Sequence, residues 1–328
     1  MQLNPSGMRF VKRLNLKRNL RGRAEPGPPA PFVVGATRSG TTLLRLMLDA
    51  HPEVGIPSET HFFHKLVKRS ERRHVTPDLL ADTIVNHKRW GDFRLDPDEL
   101  RARFNAIEPF NLSDALRAFY GLYAEKQGKS RWGDKTPGYL RYMRRIEWVL
   151  PEARFIHLIR DGRDVALSVL PMNWGPSNIT EAAELWVERV TLARENGAGV
   201  EHYMELKYED LISDTEPALR EIAAFLELAW DPAMLDYHER AEERLKEKAR
   251  DLPRKASRGD QPAAARMASH AMARKPPDPK RIGRWRTEMS REDRELYESV
   301  AGGLLAELGY AVGEPSEPEP ARAAPVAP

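Results

Sequence analysis

The chain has 328 residues, of which 41% are hydrophobic, and this is enough apolar side chain to form the core of one or two domains. Its net charge of only +3 does not call for a nucleic-acid partner, and the absence of cysteine excludes disulfides, thiolate catalysis and thiolate metal ligands. It has neither a long apolar run nor a secretory signal peptide, so we expect a cytoplasmic protein.

The two ends of the chain are expected to lie outside the folded domain, which we place at residues 31–312. Residues 1–30 are basic and then proline-rich, and we interpret them as a flexible leader; weak contact with a membrane surface is the alternative. Residues 313–328 combine proline with glutamate and alanine, which predicts a disordered tail. The abundance of arginine, alanine and proline suggests a bacterial protein.

Within that domain, the hydrophobic pattern predicts strands that alternate with helices. A buried strand at Phe32–Val34 precedes a helix at Thr41–Ala50, and residues 77–127 are mainly helical. The later elements are, in chain order, helix Tyr139–Leu150, strand Ala153–Ile159, helices Gly162–Leu170 and Glu181–Gly197, strand His202–Leu206 and helix Glu216–Leu226. Residues 241–280 predict a helix that runs into a mobile loop, a candidate lid.

This alternation is typical of a three-layer α/β/α fold with a central parallel sheet and right-handed crossovers. In such folds, ligands bind beyond the carboxyl ends of the strands. The segments that directly follow the strands are therefore where we look for the functional site.

The first of these segments, Gly35–Thr42, resembles a phosphate-binding loop between a strand and a helix. This geometry directs backbone N–H groups and a helix N-terminus towards one anion. In nucleoside triphosphatases the loop ends in a lysine that reaches the β- and γ-phosphates. Here Thr41 stands in the place of that lysine, and Arg38 supplies the positive charge. The cradle for an anion is kept, whereas the grip on a triphosphate is absent.

A second anion-binding position is predicted immediately after the strand Ala153–Ile159. Arg160 is the first residue after this strand, and its planar guanidinium suits phosphate oxygens. Ser168 lies about two helical turns further on and has a hydroxyl to donate to the same anion. The alternatives are that Arg160 pairs with Asp161 or Asp164 and that Ser168 only packs. Asp161 as a magnesium ligand is also left open.

Five segments in this order resemble the sulfotransferase family, whose donor is 3′-phosphoadenosine 5′-phosphosulfate (PAPS). They are GATRSGTT at 35–42, LDAHPEV at 48–54, SET at 58–60, DKTP at 134–137 and RDGR at 160–163 followed by Ser168. The pattern is most similar to the branch that includes protein-tyrosine sulfotransferases and bacterial relatives, and it spans Phe32 to Gly309. The resemblance implies a P-loop NTPase-like sulfotransferase fold.

The resemblance also implies roles for the residues of the donor site. The loop residues Arg38, Ser39, Gly40, Thr41 and Thr42 would hold the 5′-phosphosulfate, with Arg38 on the transferring group. Arg160 and Ser168 would hold the 3′-phosphate. Lys135 matches a family lysine near the sulfuryl group, where it would stabilise developing charge; otherwise it is a surface lysine in a turn. No metal is required, because sulfuryl transfer leaves less negative charge on the nucleotide than phosphoryl transfer does.

Two weaker correspondences complete the donor site. Tyr208 resembles the family's tyrosine near the adenine, although it could also fill the core. Trp285 lies in a basic, aromatic loop at residues 280–286, the late loop, in which Arg281 and Arg284 are candidate phosphate contacts. The sequence departs from the family here, because Gly283 stands where the tyrosine-sulfating enzymes have a serine.

Glu59 is the first candidate for the general base that deprotonates the acceptor, by its similarity to a glutamate of the tyrosine-sulfating branch. A desolvated glutamate can have its pKa raised towards the working pH, which would suit this task. The alternative for Glu59 is an ion pair with Arg38 or Lys65. His61 is the second candidate, because other branches use histidine. His51 is a third, although it better fits a residue that caps the end of a helix.

The acceptor is a hydroxyl-bearing molecule whose identity the sequence does not reveal: a carbohydrate, phenol, lipid headgroup, metabolite or peptide tyrosine. Homodimerisation is left open as well. A magnesium-dependent small-molecule kinase that uses Asp161 is the first alternative function. A non-catalytic nucleotide- or anion-binding protein is the second, and it would not need Glu59 or Lys135.

Overall fold

The structure, a computed structural model, describes residues 26–72, 75–253, 261–268 and 270–313. Most of the leader predicted at residues 1–30 and nearly all of the tail predicted at 313–328 lie outside the described residues. The same holds for part of the candidate lid at residues 241–280. None of the helices in the described ranges is long and apolar enough to cross a membrane.

A sheet of four parallel strands organises the chain, in the spatial order β4-β1-β5-β6. Its strands are β1 (Ala30–Gly35), β4 (Asp134–Lys135), β5 (Ala153–Ile159) and β6 (Tyr203–Lys207). A second, two-stranded parallel sheet pairs β2 (Val54–Gly55) with β3 (Arg131–Trp132). The predicted strands are confirmed, with β6 displaced by one residue. β2, β3 and β4 were not predicted, because two residues are too few to show an alternating pattern.

The stretch that was predicted as mainly helical begins earlier than expected, with α2, and consists of several short helices. They are α2 (Phe63–Arg72), α3 (Pro77–Val85), α4 (Trp90–Phe93), α5 (Pro97–Asn105) and α6 (Leu112–Lys126). Three of them begin at a residue whose side chain accepts a hydrogen bond from the first-turn backbone: Thr76 for α3, Asp96 for α5 and Asn111 for α6. Such N-caps satisfy N–H groups that have no partner within a helix.

The remaining helices lie between these strands and after them in the chain. They are α1 (Thr41–Ala50), α7 (Met143–Val149), α8 (Gly162–Val169), α9 (Ile179–Gly197), α10 (Tyr208–Ser213), α11 (Thr215–Phe225), α12 (Tyr237–Leu245), α13 (Ala263–Ala268), α14 (Trp285–Glu288) and α15 (Arg291–Glu307). Short 3₁₀ turns at Pro137–Arg141, Lys246–Lys248 and Ala271–Arg274 separate some of them. A central parallel sheet flanked by helices confirms the predicted α/β fold class.

Aromatic side chains join the sheet to the helices in the main core. Phe32 of β1 packs against Phe155 of β5 at a ring-centroid distance of 5.7 Å and against Tyr120 of α6 at 6.3 Å. The ring of Tyr120 stacks on Trp132 at 4.9 Å, and Phe119 lies 5.2 Å from Tyr120. Because each such ring buries about 150–250 Å², this cluster fixes the helical layer against the strand that leads into the loop.

By its internal contacts the chain divides into two compact units. The first comprises residues 1–159 and 190–279 and contains both sheets; the second comprises residues 160–189 and 280–328 and contains α8, α14 and α15. Within the second unit, Gly162 is required by close packing, since a Cβ there would lie 2.6 Å from the ring of Trp186.

Candidate active site

The loop between β1 and α1 has the backbone geometry of an anion cradle. Arg38 and Gly40 have positive φ angles of 74° and 96°. Gly40 is required for a second reason, because a Cβ there would lie 2.5 Å from Cδ2 of Tyr208. The N-terminus of α1 carries no side-chain cap, and the fully buried Oγ of Ser39 has no hydrogen-bond partner among the described residues. The loop therefore offers donors that a bound anion can satisfy.

Glu59 lies at the centre of a charged cluster in the first unit. Its Oε1 accepts a hydrogen bond from Lys135 Nζ at 2.7 Å, and its Oε2 accepts one from Arg89 at 3.2 Å. His61 Nε2 lies 2.8 Å from the same Oε2. Only 17% of the Glu59 side chain is exposed, so these charged contacts act with little screening by water.

The ionisation of Glu59 differs from the expectation drawn from the sequence. Burial alone would raise the pKa of this carboxyl, but Lys135, Lys248 and Arg89 together hold it well below its usual range. The expected rise in pKa is therefore wrong for the protein without ligand. The physical reason is that the sequence did not indicate how many cations surround the carboxylate. Glu59 is ionised at neutral pH and has the form that a proton acceptor needs.

Lys135 connects the carboxylate to the phosphate-binding loop. It is the last residue of β4, and the parallel pairing of β4 with β1 places it opposite Val33. Its side chain is fully buried, and Nζ donates to Thr42 Oγ1 at 3.3 Å as well as to Glu59. Burial lowers the pKa of Lys135, although Glu59 opposes the shift. Three sequence-predicted residues, Lys135, Glu59 and Thr42, therefore lie together.

A buried hydrogen-bond network anchors the chain on both sides of this pair. Thr60 Oγ1 donates to Asp134 Oδ2 at 2.8 Å and lies 2.7 Å from the hydroxyl of Tyr139. Tyr120 donates to the same Asp134 oxygen at 3.1 Å. Burial raises the pKa of Asp134 to about 6. Since Thr60 follows Glu59 and Asp134 precedes Lys135, the network fixes both backbones against each other.

The two histidine candidates occupy different surroundings. His61 has a positive φ of 56° and contacts Glu59, and burial lowers its pKa, so it is neutral at neutral pH. His51 is the C-cap of α1, as expected of the alternative role. Its Nε2 lies 2.9 Å from the carbonyl oxygen of Ala229, and its Nδ1 accepts the backbone N–H of Glu53. Of the two, His61 is the one placed beside Glu59.

Three basic residues of this cluster were missed from the sequence: Arg89, Lys248 and His270. Arg89 precedes the short helix α4, and the other two lie in the segment that was predicted as a lid. Lys248 Nζ lies 2.8 Å from His270 Nε2. No motif marks any of them, because each reaches Glu59 or its neighbours only through the tertiary fold.

Tyr208 is the first residue of α10 and is buried. Its ring lies against Gly40, as the short distance from a Cβ at that position demonstrates. The structure thus places the predicted adenine-contacting tyrosine at the loop, where it closes one side of the turn.

The candidates for the second anion clamp lie in the second unit. Arg160 donates to the carbonyl oxygen of Arg281 at 2.7 Å and lies 3.4 Å from Asp164 Oδ2. Ser168 Oγ donates to the carbonyl oxygen of Asp164 at 3.0 Å. The ion pair with Asp164 that the sequence left open is therefore present. Arg160 and Ser168 are both held by the residue that also organises the late loop.

Asp164 fixes the late loop through its carboxylate, which accepts the backbone N–H of Gly283 at 2.9 Å and of Trp285 at 3.0 Å. The Trp285 ring is buried, and the guanidinium of Arg163 lies 3.5 Å from its centroid. Arg284, in contrast, forms an ion pair with the exposed Glu288.

Asp161, the candidate magnesium ligand of the alternative kinase function, is engaged by a neighbouring arginine. Its two carboxylate oxygens accept hydrogen bonds from Arg163, at 3.0 Å from Nε and 2.8 Å from NH2. In the ranges that the structure describes, no group of three or more His, Cys, Asp or Glu side chains is arranged to hold a metal ion.

Comparison with known proteins agrees with the pattern of motifs. A sequence profile described as the sulfotransferase family matches residues 29–232. The chain is 27% identical over 220 residues to the protein-tyrosine sulfotransferase of Drosophila melanogaster. This alignment covers 64% of this chain and 40% of the fly protein. It is 26% identical over 314 residues to the nodulation protein NoeE of Sinorhizobium fredii, covering 87% of this chain and 67% of that protein.

Among solved structures, the sulfotransferase domain of the Synechococcus PCC 7002 olefin synthase has the same fold. It aligns with a TM-score of 0.53 at 22% identity, covering 86% of this chain and 97% of that domain. At this level of identity the likeness concerns the fold alone. This chain spans less than half the length of the fly relative.

Proposed function

This chain belongs to the sulfotransferase family, and on that premise we propose that it transfers a sulfuryl group from PAPS to an acceptor hydroxyl. The observation that carries the proposal is the contact of Lys135 with both Glu59 and Thr42. One lysine thereby links a candidate base to a phosphate-binding loop, which is the arrangement that transfer between a loop-bound donor and a hydroxyl requires.

The loop offers several hydrogen-bond donors that fit the 5′-phosphosulfate. The buried Ser39 hydroxyl without a partner among the described residues, the uncapped N-terminus of α1 and the side chain of Arg38 all suit a multiply charged oxyanion. For the 3′-phosphate, Arg160 and Ser168 remain the candidates from the sequence. Tyr208 and the late loop, with Arg281, Arg284 and Trp285, remain candidates for the rest of the nucleotide.

PAPS, when bound, supplies an activated sulfur and a leaving phosphate oxygen. The acceptor oxygen forms a bond to sulfur while the bond from sulfur to the phosphate oxygen breaks. Glu59 accepts the proton of the acceptor hydroxyl. Lys135 and Arg38 stabilise the negative charge that develops on the sulfuryl and leaving oxygens.

The ion pair between Lys135 and Glu59 gives this sequence of events a physical basis. While Lys135 is bound to Glu59, it helps to keep the pKa of the carboxyl low. When Lys135 turns to the sulfuryl group, Glu59 loses its strongest opposing charge and its pKa rises. The carboxylate therefore becomes a better proton acceptor when the donor is in place. Before the donor binds, it stays unprotonated and available as a base.

The first test is calorimetric binding of 3′-phosphoadenosine 5′-phosphate (PAP), without magnesium, to the wild type and to Arg160→Ala. We expect micromolar binding and a loss of about 2 kcal/mol in the variant, as for one charged hydrogen bond. Transfer from PAPS is then assayed with hydroxyl acceptors, beginning with tyrosine peptides because the fly relative is named a protein-tyrosine sulfotransferase. Binding of magnesium-ATP in place of PAP would refute the proposal in favour of a kinase.

A further inference from the structure

Lys248 and His270 form a contact between two basic groups that the transfer mechanism does not use. Lys248 Nζ lies 2.8 Å from His270 Nε2; the lysine side chain is buried, and the imidazole is half-buried. No carboxylate in the described part of the chain forms an ion pair with Lys248. A buried lysine is normally paired with an acid, so this arrangement requires an explanation.

The contact also limits the number of protons that the pair holds. At 2.8 Å, one nitrogen donates and the other must present a lone pair, so the two groups cannot both be cationic donors towards each other. An oxyanion placed against both nitrogens would accept a hydrogen bond from each. Its negative charge would favour the state in which both groups are protonated, which holds one more proton than the observed contact.

The surroundings of the pair are mainly cationic. The charged groups that act on Lys248 or His270 are Lys135 on β4, Glu59 before α2, Arg89 before α4, Arg45 on α1 and Arg38 in the loop. Burial lowers the pKa of Lys248 and of His270, and the neighbouring cations lower both further, whereas the carboxylate of Glu59 opposes the shift. A bound anion would raise the pKa of both groups, because its negative charge favours their protonated forms.

We propose that Lys248 and His270 form an oxyanion subsite beside Lys135 that takes up one proton from solvent as it binds an anionic group. Because the pair interacts with both Lys135 and Glu59, the anion is either the sulfuryl group of the donor or an anionic group of the acceptor. This inference rests on the proposed function for the identity of the donor. It assigns to the predicted lid segment a direct role in binding.

Proton uptake is the measurement that separates this subsite from a structural contact. Binding enthalpies of PAP and of PAPS are measured by calorimetry in buffers of different ionisation enthalpy, for the wild type, Lys248→Met and His270→Gln. Lys129→Met is the matched control, since Lys129 is also a lysine whose pKa burial lowers, but it donates to the backbone oxygens of Asp49 and Val54. Thermal unfolding of each variant confirms that it is folded. If one of the two variants does not fold, the other still tests the subsite.

If the anion is the sulfuryl group, binding of PAPS should be accompanied by uptake of about one proton more than binding of PAP, both in the wild type and in Lys129→Met. This excess should vanish in Lys248→Met and in His270→Gln. If the anion belongs to the acceptor, both nucleotides should give equal uptake, and sulfate titrated into the PAPS-saturated protein should produce an uptake that depends on Lys248 and His270. If the nucleotides bind but proton uptake depends on neither Lys248 nor His270 in both experiments, the subsite is refuted.

Failure of the proposed function has a different signature. If neither PAP nor PAPS binds to the wild type, the donor assignment is wrong, and sulfate alone is titrated into the protein. Proton uptake that is lost in Lys248→Met then supports the subsite independently of the donor. Its absence removes the subsite as well.

Discussion

Replacing Glu59 with glutamine should change nucleotide binding and sulfuryl transfer in opposite directions. In the free protein Glu59 accepts a hydrogen bond from Lys135 at 2.7 Å, so an anion that needs Lys135 must compete with it. A hydrogen bond to a charged group contributes about 1.5–3 kcal/mol, so without this competitor PAP should bind about tenfold to a hundredfold more tightly. Loss of the general base should slow transfer by a factor of about 10²–10⁴.

The same change should destabilise the protein without ligand. Glu59→Gln leaves the fully buried Lys135 without its carboxylate. Breaking a buried ion pair costs about 3–5 kcal/mol, and the partial exposure of Glu59 places the expected loss at or below the lower end of that range. Saturating PAP should restore much of this stability, because its phosphate provides a new counter-charge.

Three measurements check this prediction: calorimetry with PAP, thermal unfolding with and without PAP, and the rate at which PAPS is hydrolysed. Hydrolysis uses water as the acceptor, so the unknown substrate is not needed. Glu125→Gln is the control, since it breaks an exposed ion pair with Arg103. Unchanged or weaker PAP binding in Glu59→Gln would show that Lys135 does not face the anion. An unchanged hydrolysis rate would show that Glu59 is not the base.

Three further substitutions test the supports of the site. Gly40→Ala should cost about 2–4 kcal/mol of unfolding free energy and weaken PAP binding, because the added Cβ clashes with the ring of Tyr208. Gly128→Ala, also at positive φ but in open space, should cost about 1 kcal/mol. Equal losses in denaturant titrations would disprove the clash at Gly40. In the wild type, the unfolding free energy should decline by about 3 kcal/mol between pH 4 and 6, because the native Asp134 carboxyl, with its pKa of about 6, keeps a proton that the unfolded chain releases. Asp134→Asn should abolish this decline, and a decline that persists in the variant would contradict the reasoning. Asp164→Asn should accelerate amide hydrogen exchange in the late loop about tenfold or more, whereas Glu288→Gln, which breaks only an exposed ion pair, should leave it unchanged.

Sequence alone predicted the parts of the fold that have a long or locally determined pattern. β1 and β5 are runs of apolar residues long enough to be identified as buried strands, and α1 follows a turn that needs a glycine at a positive φ. The position of Lys135 was predicted only as a matter of resemblance. The structure supplies its cause, which is a two-residue strand, β4, that pairs with β1 and is too short to have a pattern of its own.

The electrostatics of the site could not be read from the sequence. Glu59 was expected to have a raised pKa because a general base in a closed site is desolvated, and the cation partners considered from the sequence, Arg38 and Lys65, are not the ones that reverse this effect. The cations that reverse the shift come from positions 30, 76 and 189 residues further along the chain, at Arg89, Lys135 and Lys248. Charges so far apart in sequence act on one carboxylate only after the chain has folded, so no local motif contains their sum.

The missing lysine of the phosphate-binding loop can be understood from the same geometry. Thr41 occupies the position at which nucleoside triphosphatases place the lysine, yet Lys135 Nζ reaches Thr42 Oγ1 from the neighbouring strand. The cationic charge has therefore not been lost from the cradle but enters it from β4, on the side where Glu59 lies. A lysine in the loop would be held by the nucleotide in every state, whereas a lysine from β4 can exchange between Glu59 and an anion. In the mechanism that we propose, that exchange would couple occupation of the loop to the basicity of Glu59, and it would account for a cradle that has no lysine of its own.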